Sequence, residues 1–162
     1  MLIRYAVEEQ PLGTAGALVH ARAILGDTFL VMNGNTYFNT SLAALVTTHA
    51  LGDTLATMAL VQVTDVSRYG AVALNEEGYV TQFIEKGLRG PGKINAGLYL
   101  LSSSVLETFP AAIPLSLETN VFPKLALSRH LEGCMLQGYH IDIGTPESYA
   151  EFNHTQQWLG QR

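Results

Sequence analysis

Basic side chains are scarce in this chain: nine Lys and Arg stand against fourteen Asp and Glu, leaving a formal net charge of −5. No basic stripe exists to release counterions from a phosphate backbone, which sets nucleic acid aside as a partner. A small anionic ligand must find local donors instead. Cysteine is almost missing as well. The one thiol, Cys134, can form neither an intrachain disulfide nor a multi-thiolate metal site. Its neighbours Gly133, Met135 and Leu136 predict a small buried side chain, in keeping with a reducing cytoplasm. Long apolar runs are lacking too. The opening MLIRYAVEEQ has an early Arg but no continuous apolar core of signal-peptide length, and charge interrupts the other apolar stretches before they could span a bilayer. The expectation is an untargeted protein of the cytoplasm with no membrane contact. Neither an internal repeat nor a low-complexity tract is visible.

What the chain does have is apolar bulk, 48% over 162 residues, enough for one well-buried domain spanning 1–162 and too little for two. Residues 3–7 are apolar and β-rich, and Pro11 behind the polar Glu8-Glu9-Gln10 forbids continuation of a ladder, so a strand is predicted to end there. Apolar spacing predicts helices over 14–25 and 42–49, closed by Gly26-Asp27 and Gly52-Asp53. Between them, 29–32 reads as a short buried strand, and 55–63 as another. Stretches 71–74 and 79–84 flank Asn75-Glu76-Glu77-Gly78, a hairpin pattern. Strand 94–101, short helices at 104–109 and 121–128, a last strand at 135–140 and a final helix from Pro146 through Trp158 complete the order. Thr145 is the expected N-cap of that helix, the serines 102–104 a capping cluster, and Trp158 a buried anchor. His20 and His49 read as surface or packing residues, lacking a second ligand at metal spacing. Alternation first and hairpins later predict an α/β class with a mixed sheet.

In open α/β sheets, ligands gather beyond the carboxyl ends of strands, so polar residues just after apolar runs are the candidates. Gly13 and Gly16 bracket a helix start whose free N–H groups suit an acceptor or anion, or serve backbone geometry alone. Glu8 and Glu9 can accept two parallel hydrogen bonds, matching the guanine edge, or simply close a strand in water. Lys86 can meet a phosphate as a point charge, and Glu85 and Asn95 can bind hydroxyls. Asp142, between Ile141 and Ile143 and followed by Gly144, either offers Mg²⁺ one of few protein ligands or caps the turn into the last helix. His140, two residues before it, is a lesser candidate for a phosphate contact.

The ordered set of these pieces resembles the sugar-1-phosphate nucleotidylyltransferases, within them the branch transferring guanylyl groups to mannose- or heptose-1-phosphates. The matching residues are Glu8 with 11–16 (PLGTAG), 33–38 (NGNTYF), 67–70 (SRYG), 83–87 (FIEKG), 95–99 (NAGLY), 116–118 (SLE) with Phe122-Pro123, and 142–146 (DIGTP). The resemblance implies a doubly wound, Rossmann-like fold with a mixed, mostly parallel sheet, and the conversion of NTP and sugar-1-phosphate to NDP-sugar and pyrophosphate. It implies that Glu8 and the Gly13 backbone read the base, that Tyr69, Gly70, Glu85 and Asn95 line the sugar pocket, that Lys86 holds the sugar phosphate, and that Asp142 binds Mg²⁺.

Two departures qualify it. The family pattern at the first strand end is Asn-Gly-Asp with the Asp on the metal, whereas this chain carries Asn35, so a metal shared by Asn35 and Asp142 loses one ionic ligand and binds more weakly. The family's leading glycine-rich, Arg-containing triphosphate loop does not occur in these residues, so the resemblance implies a domain truncated at its N-terminus. The two strands flanking that gap, 3–7 and 29–32, are expected either to pair with each other or to leave an open edge, giving a homodimer or completion by another chain. The readings left open are an active guanylyltransferase, a homologue that binds a nucleotide sugar or sugar phosphate without turnover, and a structural remnant without ligand.

Overall fold

The computed structural model describes residues 2–84, 87, 89–110 and 114–159. Its centre is a four-stranded sheet in the order β1 (Thr28–Met32), β6 (Gly92–Ser102), β3 (Ala56–Val63), β7 (Leu131–Met135). The sheet is mixed, as expected, but its pairings are mostly antiparallel rather than mostly parallel. The long β6 lies between β1 and β3 and opposes both, and only β3 and β7 run together. Two ribbons flank the sheet: β2 (Thr36–Asn39) with β8 (Tyr139–Asp142), and the hairpin of β4 (Ala71–Leu74) with β5 (Val80–Ile84).

Strand alternation divides the core between the two faces. Along β3, Ala56, Met58 and Leu60 join Tyr99 and Leu101 of β6 under one layer, while Ala59 and Val61 join Ile94, Ala96 and Leu98 under the other. Helix α1 (Gly13–His20), a π-helical turn at Leu117–Val121 and α3 (Phe122–Leu127) cover the first face through Ala15, Leu117 and Phe122. The second face takes Leu45 of α2 (Ala43–Leu51). Fully buried Met58, Leu60 and Ile94 each contribute about 2 kcal/mol of burial. Helix α4 (Pro146–Leu159) opens as anticipated, with Thr145 Oγ1 accepting from Ser148 N at 3.2 Å.

Several elements differ from the sequence reading. Residues 2–7 form no strand: Ile3, Tyr5 and Val7 stay exposed, because β-propensity without a ladder partner does not order a chain. They do not pair with β1, which is left as an edge of the sheet with Leu30 and Met32 outward. The helix expected over 14–25 breaks at Ala21 into α1 and a 3-10 turn at Arg22–Ile24. The run expected as one strand over 135–140 belongs to two, β7 and β8, separated at Gly138. Ser102 does not cap the following 3-10 turn; its hydroxyl meets His49 Nε2 at 3.3 Å instead. Cys134 is buried. The side chain of Trp158 lies outside the described ones. Among the described residues, no helix is long and apolar enough to cross a membrane.

Candidate functional site

The ends of β1, β8 and a bulge in β6 surround one cleft of about 340 Å³. Beyond β1 the chain turns through Asn33-Gly34-Asn35 into β2, which places Thr36 opposite Asp142 of β8. The turn is locked to β8 where Ile143 N donates to Asn35 O at 2.8 Å. In β6 the pairing with β3 jumps from Tyr99↔Met58 to Asn95↔Leu60, so Ala96-Gly97-Leu98 stand opposite Ala59 alone. Gly97 makes that bulge possible: its φ is +70°, and a Cβ there would meet Thr36 Oγ1 at 2.8 Å. Its carbonyl accepts from Asn33 N at 2.9 Å, which ties the bulge to the β1 turn.

Asn95 is fixed from both ends of its amide. Its Oδ1 accepts from Gly97 N at 2.9 Å and its Nδ2 donates to the fully buried Tyr99 hydroxyl at 2.8 Å. Burial, above all, raises the Tyr99 pKa, holding the phenol neutral. Tyr69 belongs to a turn closed by Val66 O accepting from Tyr69 N and Gly70 N, each at 3.0 Å. Tyr69 and Asn95 line the cleft and also an adjoining recess of about 180 Å³ that takes in Gly70 and Phe83. Burial lowers the pKa of His140, which also lines the cleft, more than the Asp142 carboxylate raises it; the ring meets Phe38 edge-on at 5.4 Å.

Asp142 Oδ1 accepts from Gly144 N at 2.7 Å, so one oxygen serves the turn into α4, while Asn35 Nδ2 approaches the same oxygen at 3.4 Å. Among the described residues, no group of three or more His, Cys, Asp and Glu side chains is arranged to hold a metal. A magnesium ion needs fewer, since it keeps waters and takes oxygens from substrate phosphate. Asp142 Oδ2 and the Asn35 amide, turned to present its oxygen, fit that donor set with one negative charge in place of two.

The nucleotide side of the prediction takes a different form. Glu8 lies outside the residues lining the cleft and its recess, and its Oε2 accepts from Leu12 N at 3.1 Å, so it braces the loop ahead of α1. The N–H groups at the α1 start are not all free for an anion: Ala15 N and Gly16 N donate to Leu115 O at 2.8 and 3.2 Å. Gly13 is required by that approach, with φ +80° and a would-be Cβ 2.5 Å from Leu115 O. Thr14, next in line, opens onto a third hollow of about 470 Å³ shared with Asn33, Asn35 and Leu117. The structure thus brings together Asn35, Tyr69, Asn95 and Asp142, with Gly70 beside them, while Glu8 and Gly13 shape the neighbouring loop. Glu85 and Lys86 lie outside the described residues.

Sequence reasoning assigned no role to Glu118, which lines both the cleft and the recess. Its Oε2 accepts from Thr14 Oγ1 and Ser116 Oγ, each at 3.0 Å. The signal was an acidic residue in the first turn behind the Ser116 cap.

A family model described as nucleotidyl transferase matches residues 1–157. The chain is 34% identical over 153 residues to a D-glycero-alpha-D-manno-heptose 1-phosphate guanylyltransferase of Campylobacter jejuni, covering 93% of this chain and 66% of that one. To a probable mannose-1-phosphate guanylyltransferase of Oryza sativa it is 39% identical over 148 residues, 88% of this chain and 41% of the other. Among solved structures, HddC from Yersinia pseudotuberculosis complexed with GMP-PN superposes with a TM-score of 0.75 at 32% identity, over 89% of this chain and 62% of that one. The chain therefore spans less than two thirds of the length of these relatives.

Proposed function

The chain belongs to the nucleotidyl transferase family, and we propose that its cleft takes a nucleotide and a sugar-1-phosphate, in the manner of a sugar-1-phosphate guanylyltransferase. The observation that supports this reading is the convergence of Asn95, Tyr69, Asn35 and Asp142 on one cleft at the strand ends. Fixed amides and a phenol suit sugar hydroxyls, and a carboxylate beside an amide suits a metal-bound phosphate. In the reaction a phosphate oxygen of the sugar-1-phosphate bonds to the α-phosphorus of GTP, and the bond from that phosphorus to the bridging oxygen of pyrophosphate breaks. The protein's share is alignment and charge balance rather than a covalent intermediate. Tyr69, Gly70, Asn95 and Glu85 orient the sugar and Lys86 holds its phosphate, while at the loop beside the cleft the Glu8 oxygen not engaged by Leu12 N meets the base together with the Gly13 backbone. Asn35 and Asp142 would hold Mg²⁺, whose contribution when bound is to neutralise phosphate charge.

A second reading, binding of a nucleotide sugar without turnover, draws on Asn35. Its amide faces Asp142 where the family resemblance calls for a second carboxylate, leaving a weaker cation site. Pyrophosphate release from GTP with mannose- or heptose-1-phosphate, with and without Mg²⁺, decides between the two. Release supports the first, and a GDP-mannose-dependent rise in melting temperature without release supports the second. The open edge of β1, with Met32 outward, is where a second copy would pair, and sedimentation reads that directly.

A further inference from the structure

We propose that Arg68 is a phosphate-holding cation of the cleft, a role that rests on the nucleotide and sugar-phosphate reading above. Two carboxylates, Glu118 and Asp142, line the cleft, yet among the described residues Arg68 is the only Lys or Arg doing so. Any phosphate that enters meets this permanent positive charge, and a guanidinium offers paired N–H donors in the geometry of phosphate oxygens.

The turn that carries Arg68 is fixed. Asp65 braces it, accepting from Ser67 N at 3.1 Å, Ser67 Oγ at 2.9 Å and Gly90 N at 3.3 Å. Those bonds hold the Asp65 carboxyl below the usual carboxylate range. From this turn the Arg68 guanidinium lies 5.7 Å from the centre of the Tyr69 ring, which limits its rotamers. Arg68 is exposed, and among the described residues its guanidinium makes no hydrogen bond or ion pair. Glu147, at the first turn of α4, feels its charge without binding it. The cleft's imidazole, His140, is biased toward the neutral form by burial, so it does not duplicate the charge.

The phosphate can belong to the sugar or to the nucleotide, and calorimetric titration of the full chain with mannose 1-phosphate, mannose and GDP separates them. Arg68→Ala is expected to weaken one phosphorylated ligand at least tenfold, the affected ligand identifying which phosphate is held. Arg68→Lys should recover part of that loss, and mannose binding should stay unchanged. Because Arg68 is exposed, the melting temperatures of both variants should match the parent. If the parent binds mannose 1-phosphate or GDP and Arg68→Ala binds them equally well, the role of Arg68 is overturned while the reading of the cleft stands. If the parent binds neither ligand, that reading fails and the role falls with it.

Discussion

Thr14 Oγ1 donates to Glu118 Oε2 at 3.0 Å and accepts from Leu117 N at 2.8 Å, so one hydroxyl joins the start of α1 to the turn that opens onto the cleft. Thr14→Val keeps the shape and removes both bonds, stranding an N–H and loosening a carboxylate. The expected cost is about 1–3 kcal/mol of stability, read by urea unfolding, and Thr14→Ser should restore most of it. If the proposed function is right, the valine variant should also bind GDP-mannose more weakly, because Glu118, at the wall between cleft and recess, keeps only the Ser116 hydroxyl of its two anchors.

Asn35 and Asp142 give the second prediction. In Asn35→Asp, two carboxylates stand where an amide now lies 3.4 Å from Asp142 Oδ1. Without metal they repel, so the melting temperature in EDTA should fall below that of the parent. With millimolar Mg²⁺ it should rise above its own EDTA value by more than the parent's does. Equal responses to Mg²⁺ in both proteins would show that no ion sits between these residues.

Gly97→Ala tests the bulge. Non-glycine residues cost about 1–2 kcal/mol in the left-handed region, and the added Cβ would also press on Thr36 Oγ1 at 2.8 Å and Asn33 Cβ at 3.3 Å. A loss of at least 2 kcal/mol in chemical unfolding is therefore expected by summing strain and crowding. A loss below about 0.5 kcal/mol, as at an ordinary surface position, would mean the bulge rearranges at little cost.

The strand ends were legible because each closes an apolar run with polar residues, as at Met32-Asn33 and Ile141-Asp142. What escaped the sequence reading depended on partners. β2 carries only Tyr37 and Phe38 as apolar residues, and β7 is interrupted by Glu132 and Gly133, so neither displays an apolar pattern of its own. Residues 3–7 display one and form nothing, since a strand exists only in a ladder. Glycines revealed turns but not their contacts: that Gly13 faces Leu115 O, and that Gly97 faces Thr36, follows from the tertiary fold. Charge counts showed that cations were few, but only the geometry singled out Arg68 at the cleft wall.

His49 makes the last prediction one of acid sensitivity. It lies outside the residues lining the cleft; its Nδ1 meets Thr57 Oγ1 at 2.9 Å, its Nε2 meets Ser102 Oγ at 3.3 Å, and burial lowers its pKa. A histidine whose folded pKa lies below its unfolded one binds fewer protons when folded, so its neutral form stabilises the protein above about pH 6.5. That contribution is lost as the pH falls below 6.5 through the folded value. Burial lowers His140 in the same direction, so removing His49 alone should blunt the acid response without abolishing it. The measurement is unfolding free energy from pH 8 to 5 for the parent and for His49→Asn. The parent should lose more stability below pH 6.5, the two curves drawing together as the pH falls. Parallel curves would mean that His49 carries the same proton occupancy folded and unfolded, and that its environment does not favour the neutral ring.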